Sequence, residues 1–112
     1  MMKINHVTEL ETQAVSHNPA ITKQVMLAYG DLAPVTQFAR ATFPPGATAP
    51  CHTHTDMLEV FYIEQGRGRI VIDGKSHDLT PGNTIAVEAG EAHELQNTGD
   101  DVLVVSYFSV RV

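Results

Sequence analysis

Apolar and polar residues alternate along several short runs of this chain, and turn residues separate the runs at intervals of roughly ten positions. Alternation with a period of two is typical of strands that bury one face. The pattern starts at about Lys23, and the runs are 24–29, 35–43, 58–65, 68–73, 83–88, 93–98 and 102–110. It predicts an all-β domain, either a barrel or a sandwich.

The sharpest turn signal is Asp73-Gly74, which stands between GRIVI and KSHDL. Both central residues of a type I′ turn need a positive φ, and Asp-Gly is a favoured pair there. We therefore expect a hairpin at this point.

The first twenty residues show no strand pattern, and Asn18-Pro19 marks a break after them. We expect residues 1–20 to be helical or irregular. They would form an N-terminal arm that pairs along a sheet edge, of this subunit or of a second one.

Length and composition narrow the classes of function. The 112 residues suffice for one domain, 1–112, and the hydrophobic and charged fractions of 43% and 18% are typical of a globular protein. A net charge of −6 with only seven Lys and Arg disfavours nucleic acids and anionic membranes as partners. Cys51 is alone, no apolar run could span a membrane, and the N-terminus lacks a signal-peptide core, so we expect a cytoplasmic protein.

The candidate chemistry is concentrated in the segment PGATAPCHTHTDMLE, residues 45–59. In an extended segment His52 and His54 share one face, while Cys51 points the other way. Neutral imidazole is the commonest metal ligand in proteins, and Glu59 is the nearest carboxylate on a predicted strand. An isolated pair of this kind is more often a solvated loop, so the pattern alone leaves both interpretations open.

Two gapped motifs change this interpretation. Gly46, five residues, His52-Thr53-His54, four residues, Glu59, six residues and Gly66 match the first motif of the cupin superfamily, G(X)5HXH(X)3-4E(X)6G. Gly82, five residues, Glu88-Ala89-Gly90, two residues, His93, three residues and Asn97 resemble the second motif, G(X)5PXG(X)2H(X)3N. One position departs, because Glu88 stands where the family has proline.

The resemblance implies a cupin-type double-stranded β-helix, or jelly-roll barrel, over about residues 35–110, with the N-terminal arm outside it. It also implies four metal ligands: His52, His54, Glu59 and His93. We expect His52 and His54 on one strand, Glu59 on the neighbouring strand and His93 on a third. A homodimer is a further expectation from the family.

Strand parity indicates which other side chains surround the metal. Met57, Phe61 and Ile63 run with Glu59, whereas Leu95 and Asn97 run with His93, and we expect these residues to line the pocket. Leu58, Val60 and Tyr62 would face a covering segment or a second subunit.

Other polar residues are weaker candidates for a role in catalysis or metal binding. If Cys51 acted as a nucleophile, it would need a base within reach of its thiol. Its neighbour His52 is expected to point to the opposite face of the strand. Asp56 would replace Glu59 as a ligand if the strand began earlier. His6, His17 and His77 show no ligand spacing and are expected at the surface, and Arg67 and Arg69 either steer an anion or only solubilise a strand.

Three neutral histidines and one carboxylate leave a divalent ion with a local charge of about +1. Fe, Mn or Ni would keep two coordination positions open, and Zn also fits. The leading hypothesis is a metal-dependent oxidoreductase of dioxygenase type that acts on a small organic molecule, with no catalytic acid or base evident. The alternatives are a non-catalytic small-molecule-binding or sensor domain and a metal-dependent isomerase or lyase.

Overall fold

The computed structural model describes residues 2–112 and is built almost entirely of antiparallel strands. A 3-10 helix, Val7–Glu9, precedes them. The strands are β1 (Gln13–Val15), β2 (Asn18–Leu27), β3 (Val35–Phe43), β4 (Thr48–His52), β5 (Met57–Gln65), β6 (Gly68–Ile72), β7 (Lys75–Leu79), β8 (Thr84–Val87), β9 (His93–Asn97) and β10 (Leu103–Arg111). The all-β prediction is confirmed.

The strands form two sheets that face each other. The larger sheet has the order β1-β2-β3-β10-β5-β8, and the smaller has the order β4-β9-β6-β7. Consecutive strands such as β3, β4 and β5 alternate between the sheets, which is how a jelly-roll barrel is wound. Ile63 of the larger sheet and Ile70 of the smaller are fully buried and belong to one apolar cluster between them.

The N-terminal segment differs from its prediction. Residue 1 of the predicted arm lies outside the described residues. β1 begins at Gln13 and β2 at Asn18, about ten and five residues before the predicted strand pattern. The two strands form a tight hairpin, and β2 pairs with β3 of the same chain. The arm thus extends the larger sheet of its own subunit.

The hairpin at Asp73-Gly74 is present as predicted. Asp73 and Gly74 have φ values of 47° and 81°, and Ile72 pairs with Lys75 across the turn. Gly66, which closes the first motif, has a different reason to be glycine. Its φ is 87°, and a Cβ there would lie 2.3 Å from the carbonyl oxygen of Val102.

No helix among residues 2–112 has the length and apolar character needed to cross a membrane.

Candidate metal centre

Three side chains from the two facing sheets and one from a loop converge on one point. His52 ends β4 and His93 begins β9, and these two strands are paired in the smaller sheet. Glu59 comes from β5 in the larger sheet, and His54 lies in the loop after β4. The expectations that His52 and His54 share one strand and that Glu59 lies on the neighbouring strand were therefore wrong. β9 is the neighbour, because the chain crosses to the other sheet after His54.

The ligand atoms of this group converge. One ring nitrogen from each of His52, His54 and His93 and one carboxylate oxygen of Glu59 all lie within 4.8 Å of one another. Oε1 of Glu59 is 3.0 Å from Nε2 of His93 and 3.4 Å from Nε2 of His54. Metal–ligand bonds of about 2.1 Å place adjacent ligand atoms about 3.0 to 3.4 Å apart. The donor set and its spacing thus fit a transition metal ion.

Backbone carbonyls hold two of the imidazoles from behind. Nδ1 of His52 is 2.8 Å from the carbonyl oxygen of Pro50, and Nδ1 of His93 is 3.1 Å from that of Glu91. A carbonyl can only accept, so each Nδ1 carries the proton and donates it. Metal-binding histidines typically have such a partner, because it fixes the tautomer that leaves Nε2 free for the ion.

The carboxylate in the group is buried. Glu59 is 8% exposed and His93 is 2% exposed. Burial opposes protonation of His93, but its hydrogen bonds to Glu59 and to the Glu91 carbonyl outweigh that effect and raise its pKa. A buried carboxylate requires a cation or strong donors nearby. The imidazoles supply donors, and a metal ion at the same position would supply positive charge.

The group faces a small and mainly apolar cavity of about 80 Å³, whose wall includes His52, Glu59 and His93. A cavity needs only about 10 to 15 Å³ to hold one water molecule, so this one has room for a small ligand. The remaining lining residues are Val15, His17, Ile21, Ala41, Phe43, Ala49, Phe61, Leu95, Val105 and Tyr107.

The sequence of residues 39–110 matches the family model described as "Cupin domain", and the matched region contains all four members of the group. The chain belongs to the cupin family. Motif, barrel and convergent ligand set agree on this point.

Among curated proteins, this cupin is 35% identical over 63 residues to the oxalate-binding protein of Thermotoga maritima, with 56% of this chain and 52% of that protein covered. It is 32% identical over 78 residues to the auxin-binding protein T85 of Nicotiana tabacum, covering 57% of this chain and 41% of that protein. The matches therefore span about half the length of these relatives or less.

Solved structures share the fold over nearly the whole chain. A predicted oxalate decarboxylase from Thermotoga maritima superposes with a TM-score of 0.92 at 23% identity, covering 98% of this cupin and all of that chain. KdgF from Halomonas sp. has a TM-score of 0.82 at 23% identity, with coverage of 100% and 96%. At these identities the likeness concerns the barrel alone.

The motif position that departs from the cupin pattern has a structural explanation. The backbone N–H of Glu88 donates to Oε1 of Glu91 over 2.7 Å, a bond that proline lacks. The backbone N–H of Glu91 donates to the carbonyl of Glu88, and the N–H of Gly90 donates to the carbonyl of His54. The turn before His93 is thus held by a side-chain cap and by the loop that carries His54.

Some of the predicted pocket residues reach the cavity wall and others do not. Phe61 and Leu95 lie on the cavity wall. Ile63 is buried in the core away from this wall, and the side-chain amide of Asn97 donates to the carbonyls of Phe43 and Asp101. Met57 is half-buried at the start of β5, with its sulfur 3.8 Å from Oγ1 of Thr36. Parity assigns a face, whereas position along the strand decides whether a residue reaches the cavity.

The structure places the weaker candidates outside the metal group. Cys51 and Asp56 are exposed, and neither lines the cavity. His6 accepts from the backbone at the start of the 3-10 helix, and His77 is exposed on β7. The arginines are also remote from the cavity wall: Arg69 donates to Gln96, and Arg67 borders a separate polar groove with Asp78 and Asp100.

Two polar residues of the cavity wall, Tyr107 and His17, were not predicted from the sequence to lie there. Tyr107 of β10 stacks on Phe61 and donates its hydroxyl to Gln37 over 2.9 Å. Burial and the charge of Glu59 raise the pKa of Tyr107 to about 12. His17 was expected at the surface, and it is exposed, yet it also lines the cavity. Strand alternation could have indicated the inward face of β10, but no local signal distinguishes His17.

Proposed function

We propose that this cupin binds a small bidentate oxyanion, of the size and class of oxalate, through a divalent transition metal ion held by His52, His54, Glu59 and His93. The observation that carries this proposal is the convergence of four ligand atoms beside an apolar cavity of about 80 Å³. A bound divalent ion would supply Lewis acidity and open coordination positions for oxygen ligands.

The residues of the chain define what can enter. Within residues 2–112, Glu59 is the one anionic side chain in the cavity wall, so the ion and its ligands keep a local charge of about +1, which attracts an anion. Phe61, Leu95 and Val105 exclude water and strengthen that attraction. The cavity volume of about 80 Å³ is suited to a small ligand. The Thermotoga maritima relative is named for binding oxalate, which supports the same ligand class.

The first experiment measures the metal and the ligand together. Protein purified without chelator should contain about one transition metal ion per chain by elemental analysis, with Fe, Mn or Ni favoured over Zn. Calorimetry should show oxalate binding to metal-loaded protein and none after chelation. Acetate, with one carboxylate, is the matched control. Metal-loaded protein that binds no oxalate would contradict the proposal.

A dioxygenase-type oxidoreductase is the second candidate, and the apolar wall favours it, because such a cavity accommodates O2 and a small organic substrate while excluding water. Among the described residues of the wall, His17 is the one acid or base besides the metal group that is free, since the hydroxyl of Tyr107 is engaged and keeps its proton at neutral pH. Oxygen consumption with a panel of small dihydroxy and dicarbonyl compounds tests this candidate.

The homodimer and the cytoplasmic location expected from the sequence stay predictions. Tyr62 and Phe108 of the larger sheet are exposed, 47% and 36%, and would suit a second subunit. Sedimentation analysis of wild type and of Tyr62→Lys tests the dimer. The location is tested by expressing a tagged chain in the cell that normally produces it and finding the compartment that holds the tag.

A further inference from the structure

The tip of the β1–β2 hairpin brings a fourth histidine close to the candidate metal centre. His17 lies in the turn between Val15 and Asn18, which are paired across the hairpin. Its side chain lines the cavity and is also exposed to solvent. A side chain in both positions lies at the cavity mouth. Its ring centroid is 5.3 Å from that of His52, but it is not a member of the converging ligand group.

Specific contacts hold the hairpin tip in place. Nδ2 of Asn18 donates to the carbonyl of Thr48 over 2.9 Å, and Oδ1 of the same residue accepts from N–H of Ala20 over 3.0 Å. Thr48 belongs to β4, the strand that ends with His52. Val15 and Ile21, on either side of the turn, are buried against the same cavity. His17 is therefore fixed relative to the ligand group by paired strands and by an anchor to β4.

His17 also supplies chemistry that the rest of the wall lacks. Apart from the ligand group and Tyr107, whose hydroxyl donates to Gln37, the other described lining residues are apolar. An imidazole carries at least one N–H donor whether it is neutral or protonated, so His17 is able to donate a hydrogen bond at the cavity mouth.

We propose that His17 is a ligand-contacting residue that sets specificity: its N–H donates to the outward-facing carboxylate oxygen of a small dianion whose inner oxygens lie at the metal group. This inference rests on the proposed function. It assigns to the N-terminal hairpin the selection of dicarboxylates over monocarboxylates, because a monocarboxylate has no second carboxylate to accept the bond.

The test compares His17→Ala and His17→Gln with His77→Ala, an exposed strand histidine outside the cavity. Each variant is loaded with Mn(II), its metal content is measured, and oxalate and acetate are titrated by calorimetry. His17→Ala should keep its metal and lose roughly tenfold or more in oxalate affinity, the effect of one hydrogen bond to a charged group. Acetate affinity should change by less than about twofold on the same reasoning, His17→Gln should recover part of the loss, and His77→Ala should match wild type.

Asn18→Ala provides a second variant, since it releases the hairpin tip from β4 without touching the cavity wall. It should reduce oxalate affinity in the same direction while metal content stays constant. His17→Ala that binds oxalate as tightly as wild type would overturn the inference, and so would loss of the metal, since His17 would then act on the ion. Wild-type protein that holds metal but binds no oxalate would overturn the proposed function and this inference together, a result visible before any variant is made.

Discussion

Glu59 shows at the scale of one residue why the group is suited to an ion. Its carboxylate is buried, and its Oε1 is within 3.4 Å of two imidazole nitrogens. Burying a carboxylate is costly unless positive charge or strong donors compensate. In the metal-free protein that compensation comes from His93, whose pKa is raised. A bound divalent ion would supply the positive charge that a protonated His93 supplies in its absence. Protonation of His93 and metal binding at Glu59 are therefore linked.

Glu59→Gln tests this charge directly. The amide keeps the size of the side chain but removes the negative charge, so metal affinity should fall by about 100-fold or more, since even partners of the ligands contribute 10- to 100-fold. Equilibrium dialysis with elemental analysis measures the change. Cys51→Ala is the control, because the thiol is exposed and outside the group. An equal loss of metal from Cys51→Ala would show that the assigned orientation of β4 is wrong.

Tyr107 gives a prediction about pH. Because burial and Glu59 raise its pKa to about 12, the folded state holds this proton more tightly than the unfolded state does. The side chain therefore contributes nothing to the pH dependence of stability below pH 10, and the free energy of unfolding falls as pH rises from about 10 to about 12.

Absorbance titration of the phenolate groups measures this effect. One of the three tyrosines should ionise late, and Tyr107→Phe should remove that late component. Between pH 10 and pH 12, the free energy of unfolding of this variant should fall less than that of wild type. At every pH the variant should also be less stable by a constant amount, because it lacks the hydrogen bond to Gln37. Folded wild-type protein in which all three residues ionise together near pH 10 would contradict the prediction.

At the scale of elements, the turn between β8 and β9 sets the position of His93. The side chain of Glu91 caps N–H of Glu88, its carbonyl accepts from Nδ1 of His93, and the adjacent Gly90 N–H bonds to His54. The turn therefore contacts two members of the ligand group through backbone atoms. A capping carboxylate here takes over the rigidity that a proline would provide.

Glu91→Ala should lower the free energy of unfolding by about 1 kcal/mol, the typical loss for a side-chain cap. It should also reduce metal affinity by about tenfold, since the carbonyl that orients His93 becomes less fixed. Chemical denaturation and metal competition measure the two effects. Glu91→Gln keeps an acceptor oxygen and should retain most of both properties. Glu91→Ala with wild-type metal affinity would show that the cap does not orient His93.

At the scale of the whole molecule, the metal group joins the two sheets. Glu59 comes from the larger sheet, whereas His52 and His93 come from paired strands of the smaller one. A shared ion would connect the sheets across the barrel, in addition to the apolar cluster that already packs between them. Such an ion binds the native state and not a chain in which these strands are apart.

Metal removal should therefore lower stability. At a free metal concentration 1,000 times the dissociation constant, the native state gains about 4 kcal/mol, which vanishes with chelator. Thermal unfolding monitored by circular dichroism, with and without chelator, measures the shift in Tm. If Glu59→Gln binds the metal about 100-fold more weakly, its gain at the same metal concentration should fall to about 1.4 kcal/mol. An identical metal-induced shift in wild type and in Glu59→Gln would indicate binding elsewhere.

Much of the fold was predictable from local pattern. The Asp73-Gly74 hairpin and the strands from β3 onward, except β4, follow from two-residue alternation and from turns that need positive φ, which are properties of neighbouring residues. The predicted runs did not include β4 (Thr48–His52). The start of β2 was not predictable. Residues 18–23 show no clear alternation, and they form a strand because β1 and β3 pair with them on either side.

The sequence by itself determined which residues are able to bind a metal: the spacing of His52, His54, Glu59 and His93 matches a motif, and parity puts Phe61 and Leu95 on the same inner faces. Only the tertiary structure decided that Glu59 approaches from the opposite sheet, that Tyr107 stacks in the cavity and that His17 lies at its mouth. The reason is physical. Side-chain direction depends on backbone period, which is local, whereas sheet pairing and cavity shape depend on packing between residues far apart in the chain.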